Sequence, residues 1–357
     1  MPKYRIMKES YYILHKNGAN SHYSALDYLL KEKNIDLVYR EFSIVGNFFK
    51  SIKRLDFKLF KKQLKNLFFL LQLIFSSNKK VVLGIAPYDA KLKRLLWVLN
   101  KHQVFYHTSW TCWDKTFQPK KLKKNADSVL LVWKEFLEDK CQHIFTVTNH
   151  TKNEILKNYS VNPNKISVVY HSISNEFLKT TITKRDNKKS FIYVGRLTPE
   201  KGIEEMMNFF SHHTDLSLTI IGDGKLKNDV IEKSNRSKNI EYIAYVSNRT
   251  LLASYLQKNT FLILNSHKSR KWEELFGMVL IEAMSQGCIP VSTNHSGPKE
   301  IINKDLGFLY KEGELEEKIK EIIKNTYPLT EMSENCISFS KQFTILENAK
   351  RWKKILN

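Results

Sequence analysis

Residues 191–207, FIYVGRLTPEKGIEEMM, decide how the second half of the chain folds. The apolar run reads as a buried strand ending at Val194, and Gly195 permits a tight backbone turn there. Arg196 emerges at the strand's carboxyl end. Pro199 and Glu200 suit a first helical turn, and Lys201 follows with Gly202. A strand running straight into a helix is the first part of a βαβ unit, so a parallel sheet is expected. Arg196 and Lys201, two cations beside a helix start, form the kind of clamp a diphosphate needs. A strand, turn and helix carrying two solvated cations reads equally well from these residues alone.

Short β-rich runs alternate with longer helical patterns on both sides of this stretch. In the first half the strands are read at 11–16, 36–42, 80–87, 103–110, 143–149 and 165–171. In the second half they are read at 189–197, 216–224, 240–246, 260–266 and 288–294. This is the pattern of an α/β protein with parallel sheets and helices on both faces. The expected architecture is two Rossmann-like domains facing a central cleft, residues 1–180 and 190–340. The charged, aperiodic stretch 179–189 joins them, and an amphipathic helix at 341–357 packs back on the first domain.

Two further stretches bear on chemistry. TIIGDGKLK ends a strand in Gly222-Asp223-Gly224, where glycines allow close approach of a ligand or simply make a turn. EELFGMVLIEAM, residues 273–284, places Glu274 in a loop, Gly277 at the start of a helix and Glu282 about a turn inside it. The spacing of the two carboxylates carries no information by itself. Their setting does: amides at 277–279 suit phosphate oxygens, and a carboxylate accepts two hydrogen bonds from a vicinal diol.

Taken in order, GRLTPEKG, IIGDG, EELFGMVLIEAMSQGCIPV and NHSGPKEII resemble glycosyltransferase family 4, whose members have the GT-B fold. The resemblance is strong over about 189–302 and looser in the first half, where Gly18 in KNGANSHYSAL occupies the place of the family's first glycine-bearing loop. It implies retaining transfer from a nucleotide-diphospho-sugar, UDP- or GDP-linked, with no other cofactor and no obligatory metal. Arg196 and Lys201 would hold the diphosphate, and backbone groups of Gly195, Gly222, Phe276, Gly277, Met278 and Val279 would line the donor. Glu274 would bind sugar hydroxyls near the reacting carbon, Glu282 the ribose, and Tyr245 and Val246 the base. The leaving phosphate would help deprotonate the acceptor in a front-face displacement. The family's histidine at the end of a first-domain strand matches His107 best, with His15, His102, His143 and His171 as weaker candidates. Ala244 and His171-Ser172 depart from the family's usual glycine and Asn-Gly.

Bulk composition supports a soluble, two-domain reading. The chain has 357 residues, of which 42% are apolar and 26% charged. Cys112, Cys141, Cys288 and Cys336 lack metal-like spacing and read as reduced thiols. The opening residues lack a signal peptide's apolar region, and LFFLLQLIF (67–75) is too short to span a bilayer. The net charge of +22 is uneven: residues 1–185 hold 33 Lys and Arg against 14 Asp and Glu. An anionic partner for the first half follows, and 47–65, mixing Phe, Leu and Lys, reads as one or more helices lying on an anionic membrane, the alternative being a core helix with solvated lysines. LFFLLQLIF itself reads as core. These features lead to a cytoplasmic enzyme at the inner face of the cell membrane, acting on a lipid-linked glycan acceptor in surface-polysaccharide synthesis. The rival readings are a nucleotide-sugar epimerase on the same fold, a catalytically dead scaffold, and a basic nucleic-acid-binding protein. The last is disfavoured because no nucleic-acid module accompanies the charge.

Overall fold

A computed structural model of the protein describes residues 9–16, 20–116, 126–178, 189–269 and 272–357. Gly18 and nearly all of the 179–189 stretch lie outside them. The chain divides into two units, one running up to Ser172 and taking in Ile345–Asn357, the other Ile173–Thr344. The division falls before residue 180, because Ile173 already belongs to the second unit. Its N–H donates to the Phe343 carbonyl at 2.9 Å, and it bridges in parallel to Thr344.

The first unit holds β1 (Ser10–His15), β2 (Asp36–Glu41), β3 (Lys80–Gly84), β4 (Gln103–Thr108), β5 (His143–Thr146) and β6 (Ile166–Val168). These pair in parallel in the order β2-β1-β3-β4-β5-β6. Buried Ile13, Leu14, Val81, Val82, Phe105 and Tyr106 fill both faces of the sheet, as strands covered by helices on two sides require. The C-terminal segment Ile345–Arg351 packs against the helix Ser24–Glu32, and buried Trp352 stacks near Phe145 with ring centroids 4.4 Å apart.

The second unit repeats the plan with β7 (Ser190–Arg196), β8 (Ser217–Asp223), β9 (Ile240–Ile243), β10 (Phe261–Leu264), β11 (Ile289–Thr293) and β12 (Phe308–Tyr310). Its parallel order is β12-β11-β10-β7-β8-β9. The three-residue β12 was not expected from the sequence, because FLY is too short to show an alternation. Gly222 on β8 lies opposite Gly195 on β7, and a Cβ there would stand 1.9 Å from the Gly195 carbonyl oxygen. That glycine lets two strands close on each other.

In each sheet the strand order reverses beside the first strand, between β1 and β3 and between β7 and β10. Such switch points open a crevice at the carboxyl ends of the strands, where ligands bind in open α/β sheets.

The helices Ile44–Lys53 and Phe57–Ile74 correct one expectation. LFFLLQLIF is not core throughout: Phe69 and Leu73 are buried, whereas Leu67, Phe68, Leu71 and Phe75 are exposed. A single helix face reaches the sheet, so positions four apart go inward and those between them face out. Among the described residues no helix is long and apolar enough to cross a membrane.

Candidate active site

At the β7–β10 switch point the chain after β7 turns through Pro199–Lys201 into the helix Ile203–His212. Arg196 ends the strand with its side chain 64% exposed, 4.0 Å from the Glu200 carboxylate. Lys201 goes the other way. Only 9% of the residue is exposed, and its Nζ lies 2.5 Å from Glu274 Oε2 and 4.5 Å from the centroid of the Trp272 ring. A buried ammonium thus meets a carboxylate on one side and a π-face on another, both of which stabilise its charge.

Glu274 is held by more than Lys201. Ser266 Oγ donates to Glu274 Oε2 at 3.4 Å, and the Glu274 carbonyl accepts from the Gly297 N–H at 3.2 Å. The Glu274 N–H donates to His295 Nδ1 at 3.1 Å, so the ring's proton is on Nε2, which lies 2.8 Å from Glu312 Oε1. Glu312 also accepts the Lys268 N–H at 2.9 Å, and His267 Nε2 lies 3.0 Å from Glu205 Oε2. The nearby Tyr193 hydroxyl donates to the Arg196 carbonyl at 2.7 Å. Burial, then the Glu274 charge, push its pKa up. A chain of carboxylates and imidazoles therefore fixes the loop that carries Glu274.

The loop ends at Gly277, whose φ of +82° is left-handed and begins the helix Met278–Ser285. As a glycine, this N-cap residue has no side chain to cap the helix. Phe276 is buried against Phe343, and Met278 and Val279 are half-buried on the first turn. Inside the helix, Glu282 is 8% exposed, and burial lifts its pKa to about 7 against the opposing pull of Arg249. The two side chains stand 3.4 Å apart. Arg249 begins the helix Arg249–Lys258, and the loop before it carries exposed Tyr245 and half-buried Val246. The Arg249–Glu282 pair thereby ties this loop's end to the helix that starts at Gly277.

A separate pocket of about 290 Å³ lies in the first unit at the carboxyl ends of β1, β3 and β4. His15, His22, Asp89, His107 and Trp110 are among its walls. His107 is buried, with Nδ1 3.1 Å from the Tyr23 hydroxyl and the Trp352 ring centroid 5.4 Å away. Burial, followed by the fields of His22 and His15, lowers its pKa to about 3, and burial lowers that of His15 to about 4. These rings are neutral near pH 7, so they offer hydroxyl-binding N–H and N groups rather than positive charge. His171 is also buried here, its ring 4.3 Å from that of His22. His102 and His143 are elsewhere: His102 Nδ1 accepts the Lys79 N–H at 3.1 Å, and His143 Nε2 lies 2.8 Å from Ser167 Oγ. The loop after β3 holds buried Tyr88 at a left-handed φ of +59°, an outlier for a bulky residue, directly before the pocket's Asp89.

Arg249, Trp272, His295 and Asp89 were not singled out in the sequence. Only His295 stands in a motif segment, NHSGPKEII, and each gains meaning only from a distant partner. Among the described residues no group of three or more histidines, cysteines or carboxylates could hold a metal ion.

Residues 174–343, which contain this whole arrangement of the second unit, match the family model of glycosyl transferases group 1. The second unit is a glycosyl transferase group 1 domain. An uncharacterised glycosyltransferase of Methanocaldococcus jannaschii is 28% identical over 208 residues, 56% of this chain and 55% of that one. The Escherichia coli UDP-Gal:alpha-D-GlcNAc-diphosphoundecaprenol alpha-1,3-galactosyltransferase is 25% identical over 235 residues, 60% of this chain and 59% of its own. The matched region thus spans between half and two-thirds of these relatives. Among solved structures, the lipopolysaccharide outer core galactosyltransferase WaaB in its apo form superposes with a TM-score of 0.65. It covers 97% of this chain and 99% of its own at 21% identity. That likeness shows the GT-B fold, and the chain resembles the glycosyltransferases that build bacterial surface polysaccharides.

Proposed function

We propose that this chain is a retaining glycosyltransferase. It moves a sugar from a UDP- or GDP-linked donor to a lipid-linked glycan acceptor during bacterial surface-polysaccharide synthesis. The observation that carries the reading is the buried Lys201–Glu274 pair at the sheet's switch point, beside the helix that starts at Gly277. The name of the Escherichia coli relative above, with its UDP-linked donor and diphosphoundecaprenol acceptor, supports the donor and acceptor classes.

In this reading the donor diphosphate takes Lys201's charge and that of Arg196, while amides of Met278 and Val279 meet its oxygens. Glu274, released from Lys201, accepts hydrogen bonds from the sugar hydroxyls. Glu282 does the same for the ribose diol, steadied by Arg249. Tyr245 and Val246 meet the base. The C1–phosphate bond breaks as the acceptor oxygen bonds C1 on the same face, and the acceptor proton passes to the departing phosphate. No metal is obligatory in this reading, since the cations and helix amides balance the growing diphosphate charge. The neutral imidazole of His107 serves sugar hydroxyls.

Screening nucleotide sugars for thermal stabilisation of the full chain tests this. At about a hundred times Kd, a matching donor should raise Tm by roughly 5 °C. The gain should vanish in Lys201→Ala. If every UDP- and GDP-sugar leaves Tm unmoved, the donor assignment fails.

A further inference from the structure

The helices Ile44–Lys53 and Phe57–Ile74 meet at a turn that local folding physics does not favour. The Leu55 N–H donates to the Ile52 carbonyl at 3.1 Å and the Asp56 N–H to the Ser51 carbonyl at 2.9 Å, the two bonds that close a helix end through a left-handed residue. That residue is normally glycine or asparagine. Here it is leucine at φ +52°, and it is 80% exposed. Leu55 is both strained and unburied, although the turn itself is well made: Asp56 Oδ1 goes on to accept the Leu59 N–H at 2.9 Å and cap the next helix. Among the described residues of the first unit, nothing covers the Leu55 side chain.

Its surroundings share the anomaly. Val45, Phe49 and Ile52 form one exposed stripe at i, i+4 and i+7, and Phe68, Leu71 and Phe75 form another at i, i+3 and i+7. Phe57, beside the turn, is 75% exposed. Lys50, Lys53, Arg54, Lys58, Lys61 and Lys65 are interleaved with these apolar groups. Among the described residues none of the six makes an ion pair with a carboxylate, whereas Lys62 turns inward to Glu41 at 2.6 Å. The next helix, Lys91–Leu99, packs on Phe57–Ile74 and exposes Trp97 beside Lys93 and Arg94.

We infer that this face docks the protein on an anionic lipid bilayer, with Leu55, Phe49 and Phe57 in the acyl boundary and the cations at the headgroups. An apolar surface ringed by unpaired cations matches acyl chains under anionic headgroups. Exposed tryptophan beside basic residues is the composition of an interfacial belt. A second copy of the chain is a poor occupant, since it would oppose cation to cation. The surface is independent of the transfer chemistry proposed above.

Flotation of the full chain on vesicles tests the inference. Vesicles of phosphatidylglycerol and phosphatidylcholine in equal parts should bind at least about tenfold more protein than phosphatidylcholine alone. Joint replacement of Lys58, Lys61 and Lys65 by glutamine should remove that preference. Leu55→Asn supplies a residue that tolerates the left-handed turn, so it should keep or raise thermal stability. It should nonetheless weaken vesicle binding severalfold, and Leu55→Asn/Phe49→Ser by about tenfold or more. Circular dichroism melts of each variant separate lost docking from lost folding. Equal binding to both vesicle types, binding unchanged in the folded variants, or concentration-dependent self-association through this face without vesicle binding would each overturn the inference.

Discussion

Lys201→Met is expected to lower kcat/KM for glycosyl transfer by roughly a thousandfold, the loss found when a preorganised charge aimed at a departing group is removed. Stability should fall as well, by about 3 kcal/mol, because Glu274 is left as an unpaired carboxylate in a site that excludes most water. These two effects separate. In Lys201→Met/Glu274→Gln both buried charges are gone, so most of the lost stability should return, read as the urea midpoint. Activity should not return, because neither the diphosphate nor the sugar hydroxyls regain their partner. Recovery of activity with stability would make the pair a structural ion pair only. His295→Ala, which removes the acceptor of the Glu274 N–H, should slow transfer less than Glu274→Ala while leaving donor affinity nearly intact.

Glu282→Gln should stabilise the protein at pH 8 and leave it unchanged at pH 4. The ordinary carboxyl titrates at 4.5 and the folded one at about 7, raised by burial against the pull of Arg249. Below the lower value both states are protonated and the group adds no difference. As pH rises through the interval the unfolded chain ionises first, so stability falls, and the penalty is complete above the folded value. A gap of this size corresponds to about 3 kcal/mol at pH 8, from which glutamine is exempt. Arg249 loses its partner in the variant, but its half-exposed side chain is solvated and the loss is small. Denaturant titration at the two pH values checks the sign. A destabilisation at pH 8, or an equal gain at both, would contradict the assignment. The same variant should bind nucleotide about tenfold more weakly, since the ribose diol loses a charged acceptor. Retention of Glu282 despite its burden on the fold is then explained by what it binds.

The strands around β7, β8, β10 and β11 were legible because each is an apolar run closed by glycine or polar residues. The motif segments placed Lys201, Glu274, Gly277 and Glu282 in one region of one unit. What could not be read was which groups meet. Lys201 and Glu274 are 73 positions apart, and their contact depends on β7 and β10 being neighbours, a fact of sheet order rather than of local pattern. Arg249 stands at the start of an ordinary helix and becomes informative only once Glu282 is seen 3.4 Å away. His295 lies within NHSGPKEII, yet the sequence gives no sign that its Nδ1 holds the Glu274 amide. In the first unit, LFFLLQLIF was read as core because it leads directly into the strand at 80–87, whereas the helix buries Phe69 and Leu73 and exposes Leu67, Phe68, Leu71 and Phe75. Leu55 carried no signal at all, because leucine at a left-handed turn position is visible only in the backbone angles.

The central claim is sugar transfer from a nucleotide donor, and acceptor-dependent release of nucleoside diphosphate measures it most directly. The purified full chain is incubated with UDP- and GDP-sugars and a glycan carried on a polyprenyl diphosphate, without added metal. The expected result is one nucleoside diphosphate released per sugar added, with the donor's anomeric configuration kept in the product and no reaction in Lys201→Met. Donor consumed to an epimerised nucleotide sugar without any acceptor, an inverted product, or no turnover of any nucleotide sugar would contradict the account.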